Sequence, residues 1–226
     1  TMFAPEYFDE PVVGEYSEKL TSQSGEADDA VFPRFRSYRN DLRVNIFLPD
    51  ASFLGGFSVV GSRFYGTGGQ DGKATLEFKY KDTLFIKARS DRFLLSTDKV
   101  FSEEVETVLY LKNDSIYHPK LTLRYLPERS QFSLIRKEEG MGSAPFTNSY
   151  HNIDMIFDVL NWKIGSPLLD MGNLNIGGGQ KPVVFESKNY FREARFDQIQ
   201  GMNTRNPILH LKDLSEAYGN SREFTT

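Results

Sequence analysis

The sequence predicts a mainly β protein, either a short-strand sandwich or a β-solenoid-like stack, followed by a small C-terminal helical unit. Apolar and polar residues alternate with a period of two over much of residues 73–137, as they do on half-buried strands. Turn residues separate these runs at the spacing typical of sandwiches, barrels and solenoids. Helical periodicity is confined to residues 187–226.

The clearest strand covers residues 74–80, where Ala, Leu, Phe and Tyr alternate with Thr, Glu and Lys. Residues 75–85 resemble residues 107–117, at an offset of 32 positions. Each copy reads as a strand, an Asp-Thr or Asp-Ser turn and a second strand. This similarity indicates an internal repeat and favours stacked coils.

The composition divides the chain into three regions. Residues 1–30 hold eight acidic residues against one lysine, a net charge of −7, and predict an acidic linker or loosely packed arm. Residues 31–186 form the predicted β-rich domain. Residues 187–226 predict a small helical segment, with Ser187 capping one helix and Pro207 opening another. The ends of the chain favour a segment cut from a longer protein.

Charge and cysteine content exclude several function classes. The 226-residue chain has no cysteine, so disulfides, thiolate zinc sites and cysteine nucleophiles are excluded. A net charge of −4 gives no general attraction to nucleic acid, which we do not expect as a partner. No apolar run reaches the roughly 18 residues of a transmembrane helix, so none is predicted.

No local motif predicts catalysis, a cofactor or a metal. The histidines, His118, His151 and His210, lack ligand spacing. The glycine-rich stretches at 66–72 and 177–179 lack the Lys-Ser/Thr pair of a phosphate loop and predict turns. We therefore predict no catalytic, cofactor-binding or metal-binding residues and no cofactor. A non-enzymatic protein is favoured over an enzyme.

Two sets of charged residues are candidates for a functional site. Asp154 and Asp158 lie four residues apart on a predicted strand, about 13 Å along it, which exceeds the separation of glycosidase carboxylates. Together with Asp170 they predict a polar strand face. The arginines of residues 34–43 could clamp a polyanion, but an amphipathic strand face or a partner for the acidic arm is the simpler interpretation.

Two short motifs indicate modification. Asp82-Thr83-Leu84 and Asp114-Ser115-Ile116 match the Asp-Ser/Thr-aliphatic pattern of O-glycosylation in exported proteins of Bacteroidetes. They occupy equivalent places in the two similar segments. Thr83 and Ser115 are therefore the predicted O-glycosylation sites, although Asp-Thr and Asp-Ser are also ordinary turn sequences.

Several segments resemble large, uncharacterised exported proteins of Bacteroidetes. These are residues 109–119 (LYLKNDSIYHP), residues 121–125 (LTLRY) and residues 149–155 (SYHNIDM) with Trp162 after them. The resemblance implies a secreted, envelope-associated, mostly β protein, and it carries over no active-site residue. The implied location is extracytoplasmic, in the periplasm, at the outer membrane or on the cell surface.

Two functions follow as hypotheses. The first is a non-enzymatic structural or interaction segment, a scaffold within a larger bacterial envelope or surface protein. Its partners would be other envelope proteins or other parts of the same chain. The alternative is a carbohydrate-binding or carbohydrate-processing module with a glycan as partner, which predicts an exposed aromatic row beside a concave acidic cleft.

Overall fold

The computed structural model describes residues 1–3, 5, 7–8, 10–19, 31–44, 51–68, 72–174, 182–188 and 207–217. The chain divides into two compact units, Thr1–Ser187 and Lys188–Thr226, and each is described by itself.

The described part of the first unit holds sixteen strands in one sheet. All of their pairings are antiparallel. The strands are β1 (Gly14–Ser17), β2 (Arg34–Ser37), β3 (Leu42–Val44), β4 (Ala51–Val60), β5 (Arg63–Thr67), β6 (Ala74–Tyr80), β7 (Thr83–Ser90), β8 (Arg92–Leu95), β9 (Val100–Leu111), β10 (Asp114–Leu126), β11 (Gln131–Arg136), β12 (Phe146–Asn148), β13 (Ile153–Ile156), β14 (Val159–Lys163), β15 (Leu169–Gly172) and β16 (Val184–Ser187).

The second unit contains helix α1, Pro207–Ala217, in its described residues. The predicted mainly β fold with a C-terminal helix is thereby confirmed. Proline at the first position suits this helix, because its missing amide hydrogen is not needed there. The helix predicted after Ser187 lies outside the described residues, and Ser187 itself ends β16, opposite Ile153 on β13.

The sheet is an up-and-down meander of long, interrupted strands. β5 pairs with the C-terminal half of β4 and β6 with its N-terminal half. β7 and β8 are separated only by Asp91, and together they run between β5–β6 and β9. β11 and β12 share one edge of β10 in the same way. Consecutive hairpins therefore place their turns alternately at two opposite ends of the sheet.

Aromatic contacts show that the sheet curls around its apolar face. The ring of Phe78 on β6 lies 5.0 Å from that of Tyr125 on β10 and 4.5 Å from that of Phe132 on β11. Phe85 on β7 meets Trp162 on β14 at 4.6 Å. These strands are several positions apart in the sheet order. A flat sheet would keep them apart, so the inner face closes on itself into one core.

The alternation identified the inner face correctly, but it underestimated strand length. Leu76 and Leu123 are fully buried on that face, as the pattern predicts. β9 and β10 are 12 and 13 residues long rather than short. Their pairing shifts register between His118 and Leu123. Such irregularities break the period-two pattern, so one long bent strand reads as two short runs.

A few of the described N-terminal residues pack more tightly than a loose arm would, although most of that stretch is exposed. Tyr7, Phe8 and Val12 are buried in the core, and β1 pairs with β2. The ring of Phe8 packs edge-on against Phe57 on β4 at 4.6 Å. The acidic residues dominate the composition of this stretch, which conceals the few apolar side chains that pack. Residues 20–30 lie outside the described part.

We expect Phe8→Ala to lower the free energy of unfolding by about 3 kcal/mol, because it removes a buried ring. Phe3→Ala is the matched control, since Phe3 is 65% exposed and Phe8 only 3%. Urea denaturation of both variants measures the difference. Equal stability of the two variants would mean that the N-terminal residues do not belong to the core.

Candidate functional site

An open groove of about 820 Å³ lies at the end of the sheet that carries the β8–β9 turn. Its volume falls within the roughly 300–1,000 Å³ of small-ligand sites. The described residues that line it lie on both faces of the neighbouring strands and in the turn itself. The lining residues are Tyr7, Ser62, Arg63, Phe64, Leu94, Leu95, Ser96, Thr97, Asp98, Lys99, Phe101 and Arg124.

A cross-strand row of four residues runs beside the groove, and three of them, Leu94, Phe101 and Arg124, line it. Tyr65 on β5 lies opposite Leu94 on β8. Leu94 lies opposite Phe101 on β9, and Phe101 lies opposite Arg124 on β10. Directly opposite residues of antiparallel strands share a face. We call these four residues the outer row. The first three side chains are half-buried and Arg124 is exposed, so the row presents apolar surface with a cation at one end.

Positive charge is concentrated at the groove. Arg63, Lys99 and Arg124 line it together with one acid, Asp98, a local charge of +2 in a chain of net charge −4. No ion pair joins these three cations to an acid within the described residues. Arg92, on the outer face two residues before Leu94, stacks its guanidinium 3.6 Å from the ring centroid of Tyr65. The groove therefore attracts anions although the whole chain is acidic.

The β8–β9 turn is held by its own hydrogen bonds. The amide of Ser96 donates to the carbonyl of Lys99 at 3.0 Å, and the Ser96 hydroxyl donates to the Asp98 carboxylate. That hydroxyl, with smaller contributions from nearby backbone amides and Lys99, lowers the pKa of Asp98. Asp98 is thus a fixed hydrogen-bond acceptor beside the cations at neutral pH.

Stacked rings support the inner wall of the groove. Tyr7 stacks on Phe64 of β5 with ring centroids 4.6 Å apart, and both rings contact Phe57 on β4. The N-terminal segment thus contributes directly to the groove wall. Because each ring covers a face of the other, these aromatics serve packing first.

His118 is a buried structural residue in this fold. Its Nδ1 accepts the amide hydrogen of Lys120 at 3.1 Å, and its Nε2 donates to the carbonyl of Ala144 at 2.9 Å. This pairing requires the neutral ring, and burial lowers the pKa of His118 to about 4. Its neighbour Arg136 contributes in the same direction. The described residues contain no group of three acids or histidines close enough to hold a metal ion.

The three aspartates weighed from sequence have separate surroundings. Asp154 accepts a hydrogen bond from Thr147, and Asp170 is exposed on the edge strand β15. Asp158 lies between β13 and β14, where its carboxylate is 3.5 Å from Arg136 and accepts the amide hydrogen of Leu174. The prediction of one exposed strand face is wrong for Asp158, which is buried and lies off the strands, because the strand that carries Asp154 ends at Ile156.

The arginines of residues 34–43 are distributed over two strands and a turn. Arg34 stacks on Phe32 at 4.8 Å, and Arg36 lies opposite Glu15 on β1. Arg39 pairs with Asp41 at 2.9 Å, both side chains being exposed. Arg43 lies opposite Leu54. The four arginines therefore do not form one clamp, and only Arg34 and Arg36 share the exposed face of a single strand.

The two predicted modification sites lie beside turns at the end of the sheet opposite the groove. Thr83 follows the Lys81-Asp82 turn of the β6–β7 hairpin and is exposed. Ser115 lies two residues after the Lys112-Asn113 turn of the β9–β10 hairpin, where its amide donates to Ser149 at 2.8 Å. β7 and β9 are neighbours, so the two hairpin tips are adjacent.

The glycine-rich stretch at 66–72 serves packing and turn formation in its described residues. A Cβ on Gly66 would lie 2.3 Å from the ring of Phe53, so only glycine lets β5 cross that ring. Gly72, at a φ of 84°, leads into β6. The second stretch, 177–179, and the side chain of His210 lie outside the described residues.

Comparisons with family models, with curated proteins and with solved structures found no match to this chain.

In the described residues, helix α1 is too short to cross a bilayer, and no other helix meets the length and hydropathy that crossing requires.

Sequence reasoning missed the groove. Its cations, Arg63, Lys99 and Arg124, are spread over three separate turns and strands and form no local motif. The available signal was indirect. Each of the three lies in or close to a turn of the observed sheet, and in a meander every second turn falls at the same end of the sheet.

Proposed function

We propose that the chain is a non-enzymatic structural or interaction segment of a larger bacterial envelope or surface protein. The observation that carries this proposal is an apolar row that runs to the edge of the sheet. Phe146 on β12 lies opposite Met155 on β13, which lies opposite Phe185 on β16. Their exposed fractions are 0%, 2% and 57%.

Burial falls along this row because β16 has a partner on one side only among the described strands. Leu169 and Met171 on the neighbouring edge strand β15 are likewise only partly buried against the core. An additional strand that pairs along this edge of the described sheet would cover Phe185. Other parts of the same polypeptide or another envelope protein would supply that strand.

The opposite edge has a similar character. β1 pairs only with β2 in the described sheet, and Tyr16 on β1 is largely exposed. Two available edges let the meander act as a link between neighbouring β segments, the arrangement expected of a scaffold. The resemblance of residues 109–125 and 149–155 to exported Bacteroidetes proteins supports an extracytoplasmic location.

Site-specific photo-crosslinking in intact host cells tests this proposal. Photoreactive residues at Glu186 on β16 and Glu15 on β1 are expected to crosslink to extended segments of the same polypeptide or to envelope proteins. Asp82 and Asn113, at exposed hairpin turns, are the matched controls. Edge positions that crosslink no more than the controls, or recovery of the protein in the cytoplasmic fraction, would overturn the proposal.

The location also predicts modification. We expect peptides carrying Thr83 and Ser115 from the native host to have masses above those of the bare sequence, because both hydroxyls lie beside surface hairpin turns. Thr83→Ala and Ser115→Ala should each abolish the added mass of its own peptide. Unmodified peptides from the host would contradict O-glycosylation at these residues.

The groove favours glycan binding as a second candidate function. The outer row differs from the exposed aromatic row that this function predicts, because Tyr65 and Phe101 are half-buried, and the adjoining cleft carries cations where a concave acidic cleft was expected. That chemistry suits binding rather than hydrolysis by paired carboxylates, since Asp98 is the one acid in the described lining.

A further inference from the structure

We propose that the groove binds an acidic oligosaccharide. In this arrangement Arg63 and Arg124 hold carboxylates of the sugar chain, and Asp98 accepts hydrogen bonds from its hydroxyl groups. This inference rests on the second proposed function, glycan binding, and adds the ligand class and the residues that select it.

The positions of the two arginines set the length of the ligand. Arg63 lies two residues before Tyr65 on β5, so it shares the face of the outer row, which ends at Arg124. From β5 to β10 there are three strand-to-strand steps, which separate the two backbones by roughly 14 Å. A ligand that contacts both guanidinium groups without drawing the two side chains together would therefore be extended, as an oligosaccharide with acidic groups on separate sugar units is.

The chemistry between the arginines distinguishes a sugar from other polyanions. Asp98 would repel a peptide or phosphate chain that is acidic throughout, whereas it can accept from the hydroxyls of a sugar. The Ser96 hydroxyl is already committed to Asp98, so Asp98 is held in place before the ligand arrives. Phe101, half-buried in the groove lining, offers apolar ring surface for the face of a sugar ring. Arginine suits planar carboxylates because it can bind them with two parallel hydrogen bonds.

Isothermal titration calorimetry with three probes tests the inference. The probes are an oligogalacturonate, its methyl ester and an oligoglutamate of similar length. The ester keeps the sugar chain and removes its charge, while oligoglutamate keeps the charge and removes the sugar. We expect binding of the oligogalacturonate alone, weakened when the salt concentration rises, because exposed charge interactions are screened.

Variants assign the binding to the groove. Arg63→Gln combined with Arg124→Gln is expected to weaken oligogalacturonate binding at least tenfold. Arg129→Gln is the matched control, because Arg129 is an exposed arginine at the next turn that does not line the groove, and its affinity should stay within twofold. All three positions are exposed, so circular dichroism should show an unchanged fold.

The outcomes separate the inference from the function beneath it. Equal binding of the acid and its ester would overturn acidic selectivity and leave glycan binding standing. Absence of binding by both sugars would overturn both proposals. Equal binding of oligoglutamate would mean that charge alone is recognised, and unchanged affinity in the double variant would place the site elsewhere; either result overturns the inference.

Discussion

Phe78→Ala is expected to lower the free energy of unfolding by about 3–5 kcal/mol, the loss typical of truncating a buried aromatic ring. Phe78 is 1% exposed, and its ring contacts Phe85, Tyr125 and Phe132. Those three residues come from β7, β10 and β11. One substitution therefore removes packing within the β6–β7 hairpin and also the contacts that close the curled sheet.

The control for this prediction is Phe185→Ala on the edge strand β16. Phe185 is 57% exposed, so its removal from the isolated chain is expected to change stability by no more than about 0.5 kcal/mol. Urea denaturation with a common slope compares the two variants. A loss below about 1 kcal/mol for Phe78→Ala would contradict the closure of the inner face.

His118 is expected to make the protein less stable as the pH falls from about 6.5 to 4. The pKa of His118 is lowered to about 4 in the fold, whereas that of an unfolded histidine is about 6.5. Between these values the unfolded chain binds a proton that the native protein does not. The contribution of His118 to the free energy of unfolding is therefore fully present above pH 6.5. It decreases toward pH 4, by roughly 2–3 kcal/mol.

The measurement is the pH profile of the free energy of unfolding for the parent protein and for His118→Asn. Carboxylates contribute alike to both profiles, so their difference isolates His118. Asparagine retains an acceptor for the Lys120 amide, which helps the variant to fold. His151→Asn, the same change at an exposed histidine, is the control. Parallel profiles for the parent and His118→Asn would contradict a neutral, hydrogen-bonded His118.

The same residue shows where sequence analysis reached its limit. A proline directly after His118 favours a turn by local pattern, whereas the structure places both residues within β10. The chain bends there, since the β9–β10 register shifts between His118 and Leu121. The ring's partner Ala144 comes from a loop 26 residues away, which no local pattern indicates.

The candidate sites also divide into those that a local sequence pattern indicates and those that depend on distant residues. The turns beside Thr83 and Ser115 could be predicted because their signals lie on adjacent residues, and both hairpin turns are present, while modification of the two residues stays a prediction. The groove was not recognised, because Arg63, Lys99 and Arg124 come together only when the meander stacks its turns at one end. The contribution of Tyr7 to the groove wall was also missed, because acidic residues dominate the sequence around it.

The sequence by itself determined the β class, the inner face of β6 and β10 and the position of helix α1. Each of these depends on residue spacing along one element, and periodicity reports spacing directly. Only the tertiary structure decided that the strands join in one curled meander, that Tyr7 and Phe8 belong to its core and that three distant cations share a groove. Those features depend on contacts between residues far apart in the chain, which are fixed by the packing of the whole core rather than by local preference.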